Sequence, residues 1–167
     1  KDAGNNPVSG VTVTFAAPNS GASGTFAGGL ITATATTNAS GVATALTFTA
    51  NSTAGSYTVT ASVAGVSTPA SFILTNTPGP AASITATAGT PQSATISTAF
   101  TTALQATVKD ASNNPVSGVN VTFAAPGSGA SGTFAGGGNT AATNSSGVAT
   151  AAAFTAKNFL ITKKCRR

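Results

Sequence analysis

The chain has 167 residues, of which 103 are Ala, Thr, Gly or Ser, and it contains no His and no Glu. Because Asp2 and Asp110 are its only acidic residues, most acid–base and metal-ligand chemistry is excluded, and we expect no enzyme, no cofactor and no metal site. The net charge of +5 comes from five basic residues of the tail: Lys157, Lys163, Lys164, Arg166 and Arg167. Residues 1–156 have no net charge and therefore lack the basic stripe with which a protein binds nucleic acid.

Two segments of the chain are nearly identical. Residues 1–29 and 109–137 differ at three of 29 positions, and the similarity resumes between residues 37–50 and 143–156. The repeating unit of about 106 residues has the size of a small domain and is too long for one solenoid turn. We therefore predict a tandem repeat with both copies incomplete: residues 1–77 are the C-terminal part of one repeat, 78–80 a linker, 81–156 the N-terminal part of the next, and 157–167 a divergent basic tail.

Alternating apolar and polar residues predict short strands in both copies. In chain order, the apolar positions are Val11, Val13 and Phe15; Tyr57, Val59, Ala61 and Val63; Phe72 and Leu74; Ile84; Leu104, Ala106 and Val108; and Val119, Val121 and Phe123. About seven short strands per 100 residues, separated by Gly, Pro and Asn turns, predict an all-β fold, an immunoglobulin-like β-sandwich. The predicted core of the second copy includes Leu104, Val108, Val119, Val121, Phe123 and Phe154.

Asp2 and Asp110 occupy equivalent turns, and each is followed by Asn residues. An oxygen-rich loop can bind calcium, but calcium usually takes six to eight oxygen ligands with several carboxylates. One Asp per copy favours an Asx-type turn instead, in which the carboxylate accepts hydrogen bonds from nearby backbone N–H groups.

Thr32, Thr34 and Thr36 form a ladder of the kind found on flat ice-binding or ligand-binding surfaces. Such a surface needs the ladder repeated on adjacent strands, and residues 138–144 of the other copy do not preserve it. Because β-branched Thr is common on the exposed face of strands, we interpret the ladder as a solvent face.

Two further features have structural interpretations. Tyr57, the only tyrosine, lies two residues before the core position Val59, which is the spacing of a tyrosine corner. Short Asn-x-Ser/Thr sequons arise readily in a chain this rich in Ser and Thr, and they matter only in a glycosylating host. They begin at Asn38, Asn51, Asn120 and Asn144.

Four strings of residues together resemble a known family. DASNNPVSGVNVTF, SGASGTF and TNSSGVAT in one copy, with GSYTVTASVAG in the other, are similar to the bacterial Ig-like domain, group 1, which occurs in tandem in invasin- and intimin-like surface proteins. The resemblance covers residues 1–156 apart from the linker. It implies an extracellular stalk module of an adhesin or autotransporter, and it does not specify a receptor.

The second copy departs from this pattern after Ala156, where KNFLITKKCRR replaces the NSTAGSYTVTASVAG that follows Ala50. Its closing strands are therefore expected to be absent. The basic cluster suits an anionic membrane or nucleic acid, but the abrupt end of the similarity favours unrelated sequence joined to the repeat. We predict that this tail does not replace the missing strand, since burying unpaired charges is costly.

Cys165 has no intrachain partner, and no apolar run reaches the roughly 18 residues of a membrane span.

These observations predict a non-catalytic spacer in a bacterial cell-surface or secreted protein, located outside the cell, with neighbouring Ig-like repeats as its partners. The alternative is an adhesive module that contacts a receptor or glycan through exposed loops such as residues 125–138. Residues 82–110 have two alternative pairings. They either complete the first copy, giving a permuted domain of residues 1–110, or stay with residues 111–156 and leave two open sandwiches that tend to associate.

Overall fold

The computed structural model describes residues 1–158, which form two compact units that divide after residue 78. This part of the chain contains thirteen β-strands, one 3₁₀ turn at Ala135–Gly137 and no α-helix. All the strand pairs are antiparallel. The prediction of an all-β fold is confirmed. The prediction for the basic tail falls on residues 159–167 and lies outside the described residues.

The first unit contains six strands in two sheets. They are β1 (Thr12–Ala16), β2 (Gly24–Phe26), β3 (Thr32–Thr36), β4 (Phe48–Ala50), β5 (Gly55–Ser62) and β6 (Ala70–Asn76). One sheet has the order β3-β1-β5-β6, and β2 pairs with β4 in the other. The period-two alternation brings Phe15, Ala33 and Val59 to one face, where they pack with Phe26 in a buried core.

The second unit contains seven strands in three small sheets. They are β7 (Ala81–Ala88), β8 (Gln105–Asp110), β9 (Asn120–Thr122), β10 (Gly132–Phe134), β11 (Thr140–Ala142), β12 (Val148–Thr150) and β13 (Phe154–Ala156). The sheet orders are β12-β8-β7, β11-β9 and β10-β13. Because β8 pairs with β12, the strands β7 and β8 stay with the residues that follow them. The alternative of a permuted domain of residues 1–110 is not the arrangement found.

The core of the second unit is built mainly from β8, β9 and β12. Ala106, Val108, Val121 and Ala149 are buried there, and the half-buried Val119 and Phe123 pack against them. The prediction was therefore right to place Val108 and Val121 in the core. It was wrong for Leu104 and Phe154, which are only half-buried because both line an open groove of about 350 Å³.

Candidate functional site

Within residues 1–158, no group of three His, Cys, Asp or Glu side chains could hold a metal ion. The same residues include no helix that is long and apolar enough to cross a membrane. The remaining candidates are the Asp turns, the Thr ladder, Tyr57, the sequons and the open edges of the sheets.

Both Asp residues build the predicted Asx-type turns, which confirms that interpretation. Asp2 Oδ1 accepts hydrogen bonds from the N–H groups of Gly4 and Asn6, both at 2.9 Å. Asp110 Oδ1 accepts equivalent bonds from Ser112 N at 2.9 Å and Asn114 N at 2.8 Å. The carboxylates are therefore occupied in holding their own loops.

Asp110 has a second role that the sequence did not reveal. Its Oδ2 accepts a hydrogen bond from Gly79 N at 2.9 Å and another from Asn114 Nδ2 at 2.9 Å. Asp110 is buried, whereas Asp2 is exposed. The carboxylate thus fastens the segment just before β7 to the turn that follows β8.

We expect the stability of the second unit to depend on the charge of Asp110. The Asn114 side chain, followed by the Gly79 N–H, lowers the pKa of this carboxyl from its ordinary value of 3.8. A pKa that is lower in the folded state stabilises the unit above pH 3.8, and this contribution is lost as the pH falls through the folded pKa. Asp110→Asn should therefore lower the melting temperature at pH 7, and the difference in melting temperature between the variant and the unchanged protein should narrow as the pH falls below 3.8.

The matched control is Asp2→Asn, which changes the equivalent but exposed turn. Thermal unfolding followed by circular dichroism between pH 7 and pH 2 measures both variants. We expect a smaller change for Asp2→Asn, because exposed interactions are screened by water. A gap for Asp110→Asn that stayed constant over this pH range would contradict the assignment.

Tyr57 has a structural role, but it does not form a tyrosine corner. In that motif the hydroxyl bonds to the backbone a few residues upstream. Here the hydroxyl donates to Asn76 Oδ1 at 3.0 Å, on the neighbouring strand β6. The register explains the difference, since Tyr57 lies opposite Leu74 and Asn76 is its diagonal neighbour.

Asn76 is the centre of a buried polar cluster, and no motif in the sequence pointed to it. Its Nδ2 atom lies 2.8 Å from the Ser23 carbonyl, 3.0 Å from Asn51 Oδ1 and 3.1 Å from the Thr53 carbonyl. The residue is only 9% exposed. Asn76 therefore ties the end of β6 to the loops that precede β2 and follow β4.

We predict that Asn76→Ala destabilises the first unit by about 1–3 kcal/mol, the usual cost of leaving buried polar partners unsatisfied. Tyr57→Phe removes a single donor from the same cluster, so a smaller loss of about 0.5–1.5 kcal/mol is expected. Urea unfolding followed by circular dichroism compares the two variants. Equal losses would show that Asn76 has no role beyond its bond with Tyr57.

The Thr ladder lies on the exposed face of β3. Thr34 and Thr36 are opposite Thr14 and Thr12 of β1, so within the first unit the ladder does continue onto an adjacent strand. In the second unit the corresponding pair of Thr12 and Thr36 is Asn120 opposite Ala142. The other pair is kept, with Thr122 opposite Thr140. The second copy thus has only part of the ladder, which is consistent with a solvent face of a sheet.

All four sequon asparagines are exposed. The side chains of Asn38 and Asn144 build matching turns, in which Oδ1 accepts the N–H of the residue two positions later at 2.9 Å in both copies. Asn51 belongs to the cluster around Asn76, and Asn120 lies on β9. Three of the four therefore have a structural role that requires no glycan.

The sheets leave apolar surface uncovered in both units. In the first unit, a groove of about 330 Å³ is lined by Phe15, Phe26, Phe48, Val59, Phe72 and Leu74. In the second, a groove of about 390 Å³ runs between β7 and β9 along Ile84, Val108 and Val121. These grooves and the strand edges beside them are the surfaces best suited to bind another protein segment.

Comparisons of the chain with protein-family models, with curated proteins and with solved structures find no match. Its function must therefore be inferred from its own residues and contacts.

Proposed function

We propose that this chain is a non-catalytic spacer: part of a tandem array of Ig-like β-sandwich repeats in a bacterial cell-surface or secreted adhesin-like protein. On this proposal the repeats belong to the group 1 bacterial Ig-like domains of invasin-like proteins, which they resemble in sequence. Its partners are the neighbouring repeats of the same protein, and its location is extracellular or at the cell surface.

The observation that carries the proposal is the repetition of the framework contacts in the two units. The rings of Phe15 and Phe26 have their centroids 6.4 Å apart at 57°, and those of Phe123 and Phe134 have the same separation and angle. The hydroxyl groups of Ser23 and Ser131 likewise donate to the Pro18 and Pro126 carbonyls, both at 2.6 Å. A scaffold repeated in a chain that has no His and no Glu suits a spacer.

The sheet order of the first unit supports an Ig-like topology. In an immunoglobulin sandwich of the variable type, strand F lies between strands C and G, and C′ is added beyond C. The order β3-β1-β5-β6 fits this arrangement if β3 is C′, β1 is C, β5 is F and β6 is G. The Asx turn before β1 then corresponds to the connection between strands B and C.

Display on a bacterial cell tests the spacer function. The chain is placed between a surface anchor and a small epitope, and the control carries the anchor and epitope alone. We expect the inserted chain to increase the binding of a bulky antibody to the epitope without promoting adhesion to host cells or glycans. Adhesion that disappears when residues 125–138 are replaced by a Gly/Ser sequence would favour the adhesive alternative instead.

A further inference from the structure

The equivalent strands β1 and β9 differ in how many partners they have. β1 pairs with β3 along one edge and with β5 along the other, so that Thr14 lies opposite Ser62 and Ala16 opposite Thr60. β9 pairs with β11 along the first edge, and none of the other described strands pairs with its second edge. Among the described residues, this edge of β9 is therefore unpaired at the place where the first unit holds the hairpin β5–β6.

The aromatic surface beneath that hairpin is already formed in the second unit. Phe15 and Phe26 are 7% and 3% exposed in the first unit. Phe123 and Phe134 have the same ring geometry but are only half-buried. In the first unit, Val59 and Phe72 supply part of the cover, since Val59 belongs to the core and the Phe72 ring lies 6.4 Å from that of Phe15.

Two adjoining grooves mark the space that the hairpin would fill in the second unit. The groove along Ile84, Val108 and Val121 has a volume of about 390 Å³, and a second of about 320 Å³ runs along Leu104, Ala106 and Phe123. Most of their lining is apolar, and neither is lined by a charged side chain. The hairpin Gly55–Asn76 is also uncharged, so no electrostatic penalty opposes docking.

The hairpin is itself incompletely covered in the first unit. Phe72 of β6 is 47% exposed, and Leu74 on the same face is also exposed. Both line the groove of the first unit, which contains no strand equivalent to β7 or β8. A hairpin that moved onto the second unit would place this face opposite β7 and β8, which would bury apolar area that both units now expose.

We propose that the open edge of β9 and the grooves beside it are an acceptor site for the β5–β6 hairpin of a second copy of this chain. The hairpin would add to β9 in the register seen on β1, with Thr122 opposite Ser62 of the second copy. The site is preformed, because the aromatic pair beneath it already has its final geometry, and this reduces the cost of ordering. This inference does not depend on the spacer function.

The short linker between β6 and β7 favours a hairpin that comes from another copy. In the docked register Asn76 would lie beside Ser131, the equivalent of its present partner Ser23. β7 begins at the other end of the unit, where Ala81 pairs with Asp110. Only residues 77–80 join β6 to β7, and the chain from residue 76 to residue 81 spans at most about 18 Å.

The contacts also favour movement of β5–β6 over movement of β7–β8. Transfer of β5–β6 removes Val59 from a buried cluster of four residues in the first unit. Transfer of β7–β8 would remove both Ala106 and Val108 from the four-residue cluster of the second unit and would break the pairing of β8 with β12. Release of β5–β6 therefore removes fewer residues from a buried core, and it also breaks the bonds of Asn76 to Ser23 and Asn51.

Disulfide cross-linking tests the register. Two proteins are prepared in the Cys165→Ser background, one with Thr122→Cys and the other with Ser62→Cys. They are mixed, warmed until the fluorescence of Tyr57 begins to change, cooled and oxidised. We expect mixed disulfide dimers in about tenfold greater yield than with Thr58→Cys, whose position is four residues, roughly 13 Å, out of register. Equal yields from the two pairs, or no mixed dimer, would overturn the proposal.

Sedimentation equilibrium tests the binding face with adjacent residues of β6. Phe72→Ser changes the face that would be buried, and we expect it to weaken self-association by about tenfold or more. Ile73→Ser changes the opposite face, where the side chain is 79% exposed, and should alter association less than about twofold. If Phe72→Ser loosened the first unit, the hairpin would be released more easily and self-association would become stronger. Weaker association would therefore not be a result of that loosening. A chain that stays monomeric at high concentration, or equal effects of the two variants, would refute the proposed site.

Discussion

Replacing Gly24 with alanine will strongly destabilise the first unit, and replacing Gly132 will strongly destabilise the second. A Cβ atom at Gly24 would collide with the Thr49 carbonyl and come within 2.7 Å of the Phe48 ring. At Gly132 it would collide with the Thr155 carbonyl and approach the Phe154 ring to 2.6 Å. The obstruction includes backbone of the paired strand, which cannot rotate away, so we expect a cost of at least about 3 kcal/mol in each unit.

The chain allows the two units to be monitored separately. It has one tyrosine, Tyr57 in the first unit, and no tryptophan, so tyrosine fluorescence reports that unit alone. Hydrogen exchange of the β8 amides reports the second. Gly24→Ala should lower the midpoint of the tyrosine transition and leave β8 protected, and Gly132→Ala should do the reverse.

Gly127→Ala is the matched control, since a Cβ atom there meets nothing within 4 Å and the backbone is not in the left-handed region. The first copy already has Asn19 at this position. We expect its stability to change by less than about 0.5 kcal/mol. Normal unfolding of Gly24→Ala would show that β2 and β4 are not held as closely as the structure indicates.

Phe26→Ala will cost about 3–5 kcal/mol, the usual loss for a large side chain removed from a core. Phe26 is among the most buried apolar residues of the first unit, and its ring lies 4.8 Å from that of Phe48 and 6.4 Å from that of Phe15. Single domains are stable by only about 5–15 kcal/mol, so this loss is a large fraction of the stability of the first unit. Urea unfolding followed by tyrosine fluorescence measures it.

Phe134→Ala is the equivalent change in the second unit and should cost distinctly less. The Phe134 ring has the same neighbours, with centroid distances of 4.7 Å to Phe154 and 6.4 Å to Phe123, but it is half-buried. Less apolar area is therefore returned to water when it is removed. Equal losses at the two positions would mean that β5 and β6 do not stabilise the first core.

Local sequence determined several of the strands and turns of this protein. The alternation of Val and Phe with Thr placed β1 and β9 correctly, because side chains on a strand point alternately to its two faces. The Asx turns at Asp2 and Asp110 were predictable for a similar reason, since the carboxylate and the N–H groups that it accepts lie within four residues of each other.

Contacts between distant residues could not be inferred in this way. The partner of Tyr57 is Asn76 on the next strand, and Asp110 bonds to Gly79, 31 residues before it. Neither contact has a spacing that recurs in sequence, because each depends on strand register and on how a loop returns to the sheet.

Phe15 and Phe123 show which properties of a side chain follow from the local sequence and which follow from the tertiary structure. Phe15 and Phe123 stand in nearly identical sequence, and both were correctly expected on the inner face of a strand. Only the tertiary structure made Phe15 buried and left Phe123 half-exposed. The physical reason is that alternation fixes the face to which a side chain points, whereas its burial depends on what packs against that face. For Phe15 this is β5 and β6, which begin about 40 residues later in the chain.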